Sequence, residues 1–338
     1  MTIPYLPIAG TPYQRGVRHG RARRAALRAF LDDGLARLDR ILPAPVDRDG
    51  LGPVLDGYAR AITAALPDLA EELRGLADGA ALTGDEAVLL QARREILGYQ
   101  RVPTMGDCTA YARPGAYPVL AQTVDLNGDL DDQIAVLDTG RALVLSFAGL
   151  LGYLGVSRTG LAVGLNLVLG GRWRPGVPPY LAIRHLLDVA DDVGDAVKLL
   201  RDLPLASSRS IMLCDPERAG FAEVLGDEVR FHQMAEPVHT NHFLDPEFAA
   251  YDEVNVFARN SSRRRYDACR AALADLPADA AAERHFAVLA RPPITVAGTG
   301  DVRRERTVAA IVALPGRGEL HVRPGDPSRS DTEVFRLR

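Results

Sequence analysis

The chain has 338 residues, 47% of them hydrophobic and 25% charged, with a formal net charge of -4. This is the composition of an ordinary folded protein, which excludes the disordered and fibrous classes, and the small acidic balance offers no global attraction for nucleic acid. The pairs Arg23-Arg24 and Arg303-Arg304 are too short to form a basic stripe.

The helical period comes first along the chain. From Gln14 to about Tyr99, apolar residues recur at three-to-four spacing, predicting helices over Ala25 to Leu42, Val54 to Leu66, Leu69 to Leu76 and Glu86 to Leu97. Thr83 followed by Glu86 is a capping box for the last of these. At Met105-Gly106-Asp107-Cys108 the period becomes strand-like, and Cys108 to Ala112, a Pro/Gly turn over 113 to 118, and Val119 to Val124 read as a hairpin. Strands follow at Ile134 to Leu137, Leu143 to Phe147, Tyr153 to Val156 and Leu161 to Leu165, and then a helical stretch from Pro179 to Leu203. Further strands at Ser210 to Cys214 and Phe221 to Leu225, a helix from about Arg263 to Leu276, and strands at Val308 to Leu314 and Glu319 to Val322 complete the series. The order predicts an α+β fold of layered sheets covered by helices, not a strictly alternating parallel one. No internal repeat or low-complexity linker interrupts it, and Gly170 to Pro179 reads as a functional loop.

Three cysteines, Cys108, Cys214 and Cys269, form neither a disulfide framework nor a Cys-x-x-Cys zinc spacing, which points to a reducing compartment. No early apolar stretch is followed by a small-residue cleavage site. The longest apolar stretch, Leu143 to Val156, is broken by glycines and falls short of the roughly 18 residues of a spanning helix. The expectation is a cytoplasmic protein with no membrane or nucleic-acid partner.

A cysteine at a strand start is commonly a small buried hydrophobe. Here the hairpin adds a carboxylate. If its strands pair symmetrically about Ala116 and Tyr117, facing residue numbers sum to about 233 and Cys108 lies opposite Asp125. Asp125 ends the otherwise apolar strand Gln122-Thr123-Val124-Asp125, where an acid also reads as a turn initiator.

The ordered set of short motifs resembles the acyl-coenzyme A:6-aminopenicillanic acid acyltransferase family of autoproteolytic N-terminal-nucleophile enzymes, over nearly the whole chain. The motifs are Gly10-Thr11-Pro12-Tyr13-Gln14-Arg15-Gly16 with His19-Gly20, then Cys108-Thr109-Ala110-Tyr111, Gln122 to Asp125 and Gly164-Leu165-Asn166. Gly176-Val177-Pro178-Pro179-Tyr180, Arg184-His185-Leu186-Leu187, Asp195-Ala196 and Thr240-Asn241-His242-Phe243 continue the series. Ser262-Arg263-Arg264-Arg265-Tyr266, Thr307-Val308-Ala309 and Gly325-Asp326-Pro327 close it.

The resemblance implies a four-layer αββα fold and a precursor that cuts itself between Asp107 and Cys108. Residues 1-107 would then be a helical prosegment retained as the small subunit, and 108-338 the catalytic large subunit. It further implies Cys108 as nucleophile, Asn241 as oxyanion donor, Asn166 as a second polar group near the substrate, and Asp125 with an arginine near Arg265 orienting Cys108. The run of three arginines leaves that last register open. Asn241 also reads as an Asx-turn residue and Asn166 as a strand-ending turn. Trp173, in the loop after Asn166, reads either as lining an acyl pocket or as packing on the loop. The substrate is expected to be a small amide-linked metabolite, with acyl-coenzyme A as an alternative thioester donor and no cofactor.

Two departures stand out. Asp107 precedes the nucleophile where the family has glycine, with Gly106 one place earlier, and Ser207-Ser208-Arg209-Ser210 stands where an asparagine is expected. The first motivates a competing reading, an unprocessed member that binds small molecules without catalysis. His239-x-x-His242 has no cysteine or carboxylate cluster to complete a metal site, so no metal is expected. Gly298-Thr299-Gly300 reads as a turn, and Cys214 and Cys269 as core.

Overall fold

A computed structural model of the chain describes residues 2–98 and 108–337. A short strand β1 (Tyr5–Pro7) precedes the helices α1 (Pro12–Asp32), α2 (Gly34–Ile41), α3 (Arg48–Ala65), α4 (Pro67–Ala80) and α5 (Gly84–Leu97). Helix α1 begins well before Ala25 because Thr11 and Gln14 form a reciprocal capping box and Pro12 occupies the first turn. The single helix expected from Ala25 to Leu42 is broken. Gly34, Leu35, Ala36 and Arg37 take φ of 59°, 54°, 56° and 62°, a left-handed turn costing roughly 1–2 kcal/mol for each non-glycine residue. Tertiary contacts hold it: buried Arg37 donates to the carbonyls of Gly128 (2.8 Å) and Asp129 (2.7 Å) and to the carboxylates of Asp33 and Asp132.

Helices α1 and α4 cross through paired Gly-x-x-x-Gly segments, Gly16 with Gly20 and Gly75 with Gly79. A Cβ on Gly16 would stand 1.9 Å from the Glu72 carbonyl oxygen, and one on Gly75 2.1 Å from that of Tyr13. Alanine is the better helix former by about 1 kcal/mol, yet Gly75→Ala is expected to destabilise by about 1–3 kcal/mol because backbone has to move. A lowered urea midpoint is the expected readout, and an unchanged or raised one contradicts this crossing.

The second part of the chain supplies β2 (Thr109–Arg113), β3 (Val119–Leu126), β4 (Ile134–Asp138), β5 (Ala142–Phe147), β6 (Leu154–Ser157) and β7 (Ala162–Leu167). Next come α6 (Pro179–Val189), α7 (Val193–Asp202), β8 (Arg209–Cys214), β9 (Ala219–Leu225), β10 (Glu228–Gln233) and β11 (Val238–His239). The series ends with α8 (Pro246–Ala249), α9 (Val256–Ala274), α10 (Ala282–Leu289), β12 (Arg306–Leu314), β13 (Glu319–Pro324) and β14 (Glu333–Arg336). The helix expected over Pro179 to Leu203 is two helices, because Asp192 caps α7 by accepting from the Asp195 amide. Helix α9 starts at Val256, not Arg263, under an Asn255 cap that accepts from Phe257 and Ala258.

The strands form an eight-stranded sheet, ordered β1-β4-β5-β6-β7-β8-β9-β10, and a six-stranded sheet, ordered β11-β2-β3-β12-β13-β14. Their inner faces pack on each other. Helices α6 and α7 cover the outside of the larger sheet, while α9 and α10 cover that of the smaller, so the architecture is the four-layer αββα sandwich. The α10 side holds its own apolar cluster, including Tyr111, Phe286, Leu289 and Val312. Among the described residues no helix is long and apolar enough to cross a membrane.

Helices α1 to α5 attach through buried charge. Arg184 on α6 and Glu72 on α4, both wholly buried, form a bidentate pair at 2.9 Å, and Arg15 on α1 adds a third contact to Glu72 at 2.7 Å.

The β2–β3 hairpin corrects the expected register. Thr109 faces Thr123 and Ala110 faces Gln122, so facing numbers sum to 232 and Cys108, one step before β2, falls across from Val124. The five residues 114 to 118 connect the strands, and a loop of odd length centres on one residue, Ala116, instead of between two. A bulge on β12 between Thr307 and Ala309 sits beside Asp125, where it ends regular pairing and re-aims side chains.

Three interior histidines make the fold acid-sensitive. Burial lowers His19 to about 3 and His242 and His285 to about 4, against an unfolded value of about 6.5. Their neutral forms are favoured by folding, so the stability is fully present above pH ~6.5 and is withdrawn as pH falls towards the folded values. His19 alone withdraws about 2 kcal/mol between pH 6.5 and 5. The melting temperature is expected to fall steadily between pH 7 and 4; a flat profile contradicts the burial of these rings.

Candidate active site

The site is assembled where β2 begins. Cys108 is 5% exposed; its Sγ lies 3.4 Å from the Asp125 amide, which donates to it, and 3.7 Å from the Asp125 carbonyl oxygen. The thiol and Asp125 therefore meet despite the shifted register, through backbone as well as through adjacency. Asp125 Oδ2 accepts from Thr123 Oγ1 at 3.2 Å, and that hydroxyl accepts from the Thr109 amide at 3.1 Å. Each element of the hairpin end is thus tied to the next.

Helix α9 settles the register of the three arginines. Its period turns Arg265 fully inward and leaves Arg263 and Arg264 exposed. Arg265 Nη1 donates to the Cys108 carbonyl oxygen at 2.7 Å and to Thr109 Oγ1 at 3.1 Å, and Nη2 donates to Asn241 Oδ1 at 3.0 Å. One guanidinium grips the Cys108 backbone and the Asn241 side chain together.

Strand β11 brings Asn241 to the cysteine. His239 faces Ala110, and extending that register by two residues sets position 241 beside position 108. Asn241 is 1% exposed; its backbone N–H donates to Ser262 Oγ at 2.8 Å, and Nδ2 donates to the Leu167 carbonyl at 2.8 Å. An amide nitrogen carries two hydrogens, and the Leu167 bond commits one of them.

Cys108, Asp125 and Asn241 line one small cavity of about 30 Å³, with Tyr153, Tyr180 and Arg209 forming much of the remaining wall. Burial pushes both tyrosine phenols above their ordinary range, which keeps them neutral. Two donors on the same wall, Arg94 Nη2 and Asn127 Nδ2, are buried without a hydrogen-bond partner among the described residues. Both offer a bond to an acceptor entering the cavity.

Asn166 and Trp173 are outside that lining. Asn166 is wholly buried on β7 across from Ser210, and neither its amide nor the Ser210 hydroxyl is hydrogen-bonded among the described residues. Trp173 stands one layer back. Its Nε1 donates to Ser208 Oγ at 3.1 Å, and the Arg209 guanidinium lies 5.0 Å over its ring. Arg209 in turn donates to Glu95 of α5 at 2.7 Å, where Ser207 also donates at 2.8 Å. Asp107, the other half of the expected cleavage site, lies outside the described residues.

Sequence reading missed Arg209, Glu95, Tyr153 and Tyr180. The available signal was a charge just ahead of an apolar run, Glu95 before Ile96-Leu97 and Arg209 before Ile211, but pairing the two needs the tertiary fold. Cys214 and Cys269 are pushed up to about 12 by burial, which makes them inert thiols. His239 is turned to Glu223 and His242 to Ser262.

A family model described as acyl-coenzyme A:6-aminopenicillanic acid acyl-transferase matches residues 113–329, well over half of the chain. Among solved structures, penicillin V acylase from Agrobacterium tumefaciens is similar at 14% identity and a TM-score of 0.51, covering 68% of this chain and 86% of that one. An N-acylethanolamine-hydrolyzing acid amidase ortholog from Caenorhabditis elegans matches at 17% identity and TM-score 0.45, covering 68% and 100%. A conjugated bile acid hydrolase variant from Clostridium perfringens matches at 9% identity and TM-score 0.49, covering 68% and 97%. The fold is that of N-terminal-nucleophile hydrolases.

Proposed function

Because the chain belongs to the acyl-coenzyme A:6-aminopenicillanic acid acyl-transferase family, we propose that it is an acyltransferase or amidohydrolase whose nucleophile is Cys108, released by cleavage of its own Asp107–Cys108 bond. The observation that carries this reading is that Cys108, Asp125 and Asn241 line one small cavity at the start of β2, with Arg265 bonded to the Cys108 carbonyl and to Asn241 Oδ1.

In the precursor, the Cys108 thiol attacks the Asp107 carbonyl carbon, the peptide C–N bond breaks, and a thioester forms by N-to-S shift. Water hydrolyses that thioester, leaving a free α-amine on Cys108. The amine has an ordinary pKa of about 8 and the thiol one of about 8.5, so a single residue then holds both base and nucleophile. In turnover the amine takes the thiol proton, Sγ attacks the substrate's acyl carbon, and the oxyanion accepts from Asn241 Nδ2–H. The leaving amine takes a proton from the α-ammonium, and water or a second amine takes the acyl group from sulfur.

Arg265 and Asp125 orient Cys108 through the bonds described above. Arg94 and Asn127 supply donors for polar atoms of a small amide-linked substrate or an acyl thioester. No cofactor or metal enters this cycle. Residues 1–107 stay attached as the small subunit, a role supported by the buried Glu72–Arg184 and Glu95–Arg209 pairs that cross the cleavage point.

The reading is tested by incubating the protein with a panel of amides and acyl thioesters, quenching in acid and mapping the adduct by mass spectrometry. A single acyl mass on a peptide beginning at Cys108 is expected. An acyl group on another residue, with turnover unaffected by Cys108→Ala, overturns it.

A further inference from the structure

The loop that carries Asn241 is closed at both ends by one buried carboxylate. Glu223 stands on β9, in the sheet opposite the nucleophile's, and is wholly buried. Its Oε1 lies 2.8 Å from His239 Nε2 and accepts from the Leu244 amide at 2.6 Å, while Oε2 accepts from the Asp245 amide at 2.9 Å. Residues 239 and 244–245 are the two ends of the segment, and Asn241 lies between them.

His239 is also wholly buried, and its Nδ1 lies 2.8 Å from the Thr240 carbonyl oxygen. A carbonyl only accepts, so Nδ1 carries a hydrogen. Both Glu223 oxygens accept backbone donors, an arrangement that favours the ionised carboxylate. Burial raises the Glu223 pKa, but the bonds from His239 and the two amides outweigh it and hold the carboxyl below its usual range. Glu223 and His239 thus form a buried, hydrogen-bonded bridge between the two sheets.

Such a buried pair is a costly choice if only stability is at stake, since apolar residues of similar size often do as well. Its geometry has a specific result. The His239 ring fixes the Thr240 carbonyl, which belongs to the peptide unit whose nitrogen is that of Asn241. That nitrogen is bonded to Ser262 Oγ on the far side. The peptide plane before Asn241 is therefore clamped at its oxygen by His239 and at its nitrogen by Ser262, and the Asn241 side chain is held by Arg265 and Leu167.

We propose that Glu223, acting through His239, is a positioning residue for Asn241 and sets how well its amide meets the oxyanion. The inference rests on Asn241 being the oxyanion donor of the proposed reaction. Glu223 touches neither substrate nor nucleophile in this scheme; it acts on the transition state only by fixing where Asn241 Nδ2 stands. A displacement of about 1 Å at such a donor is enough to lose a large factor in rate.

The test is a double-mutant cycle on kcat and KM with the processed enzyme and an amide substrate. Glu223→Gln keeps the shape but cannot accept from every one of its three donors. It is expected to lower kcat by about tenfold or more with KM little changed. In the Asn241→Ala background the same substitution is expected to change kcat by less than about twofold, because the group it positions is gone. His239→Gln, which loses the bond to Thr240, is expected to show the same pattern, a loss of about tenfold alone and of less than about twofold in the Asn241→Ala background, and serves where Glu223→Gln does not fold.

An equal loss in both backgrounds, or no loss in the first, overturns the proposal. So does failure of both variants to fold, which assigns the pair to the scaffold alone. If Asn241→Ala by itself leaves kcat unchanged, the oxyanion reading fails first, and that single-variant result separates the two failures.

Discussion

Asn241→Ala is expected to lower kcat for an amide substrate by about 10²- to 10³-fold while KM changes little. The ground-state carbonyl oxygen needs little from the donor, whereas the tetrahedral oxyanion needs a fixed partner, so the loss falls on the chemical step. The substitution also leaves Arg265 Nη2 without the Oδ1 it donates to at 3.0 Å. Some stability is lost with it, on the order of 1–3 kcal/mol. The two effects separate in single-turnover kinetics run well below the melting temperature of the variant. A variant that folds, processes and turns over within a few-fold of wild type contradicts the assignment of Asn241.

The largest effect on stability is expected from Glu72→Ala. Glu72 is wholly buried and accepts from Arg184 twice and from Arg15 once. Removing the carboxylate takes the bidentate partner from the fully buried Arg184 guanidinium, and breaking such a pair from one side costs about 3–5 kcal/mol. Arg184 keeps the Asp188 carboxylate at 2.8 Å and the Leu151 carbonyl at 3.0 Å, so the variant is expected to fold with a much lower urea midpoint. Glu72 and Arg184 lie on opposite sides of Cys108 in sequence. In processed enzyme the same substitution is therefore expected to weaken subunit retention, seen as separation of the fragments by size exclusion in mild urea. An unchanged midpoint and intact retention contradict the role given to this pair.

The parts of the fold legible in the sequence are those set by local pattern. The capping box at Thr83, the Pro/Gly turn over 113 to 118 and the apolar runs of β5, β7 and β12 each carry their own signal. The parts that were not legible depend on partners distant in sequence. The left-handed turn at Gly34 to Arg37 is held by Gly128, Asp129 and Asp132, and nothing within residues 25 to 42 announces it apart from Gly34. Strand β11 is two residues long and exists only because β2 offers its edge.

The site divides in the same way. Cys108, Asp125, Asn241 and Arg265 were visible because short motifs carried them, and helical period then decides Arg265 over its neighbours once α9 is in place. Asn166 was implied by the Gly164-Leu165-Asn166 motif, and Trp173 was read from its place in the glycine-rich loop; neither is in the cavity lining. The sandwich instead puts Arg209 and the two tyrosines at the cavity wall, with Trp173 beneath Arg209. The one-residue error in hairpin register came from the length of the turn, which sequence symmetry does not resolve.

The most direct test of the central claim is the intact mass of the purified protein beside Cys108→Ala. Self-processing predicts two fragments for the wild type, divided between Asp107 and Cys108, and a single uncut chain for the variant. A single chain in both, under conditions where the wild type is folded, contradicts autoproteolysis and leaves the unprocessed binding protein as the better account of Asp107.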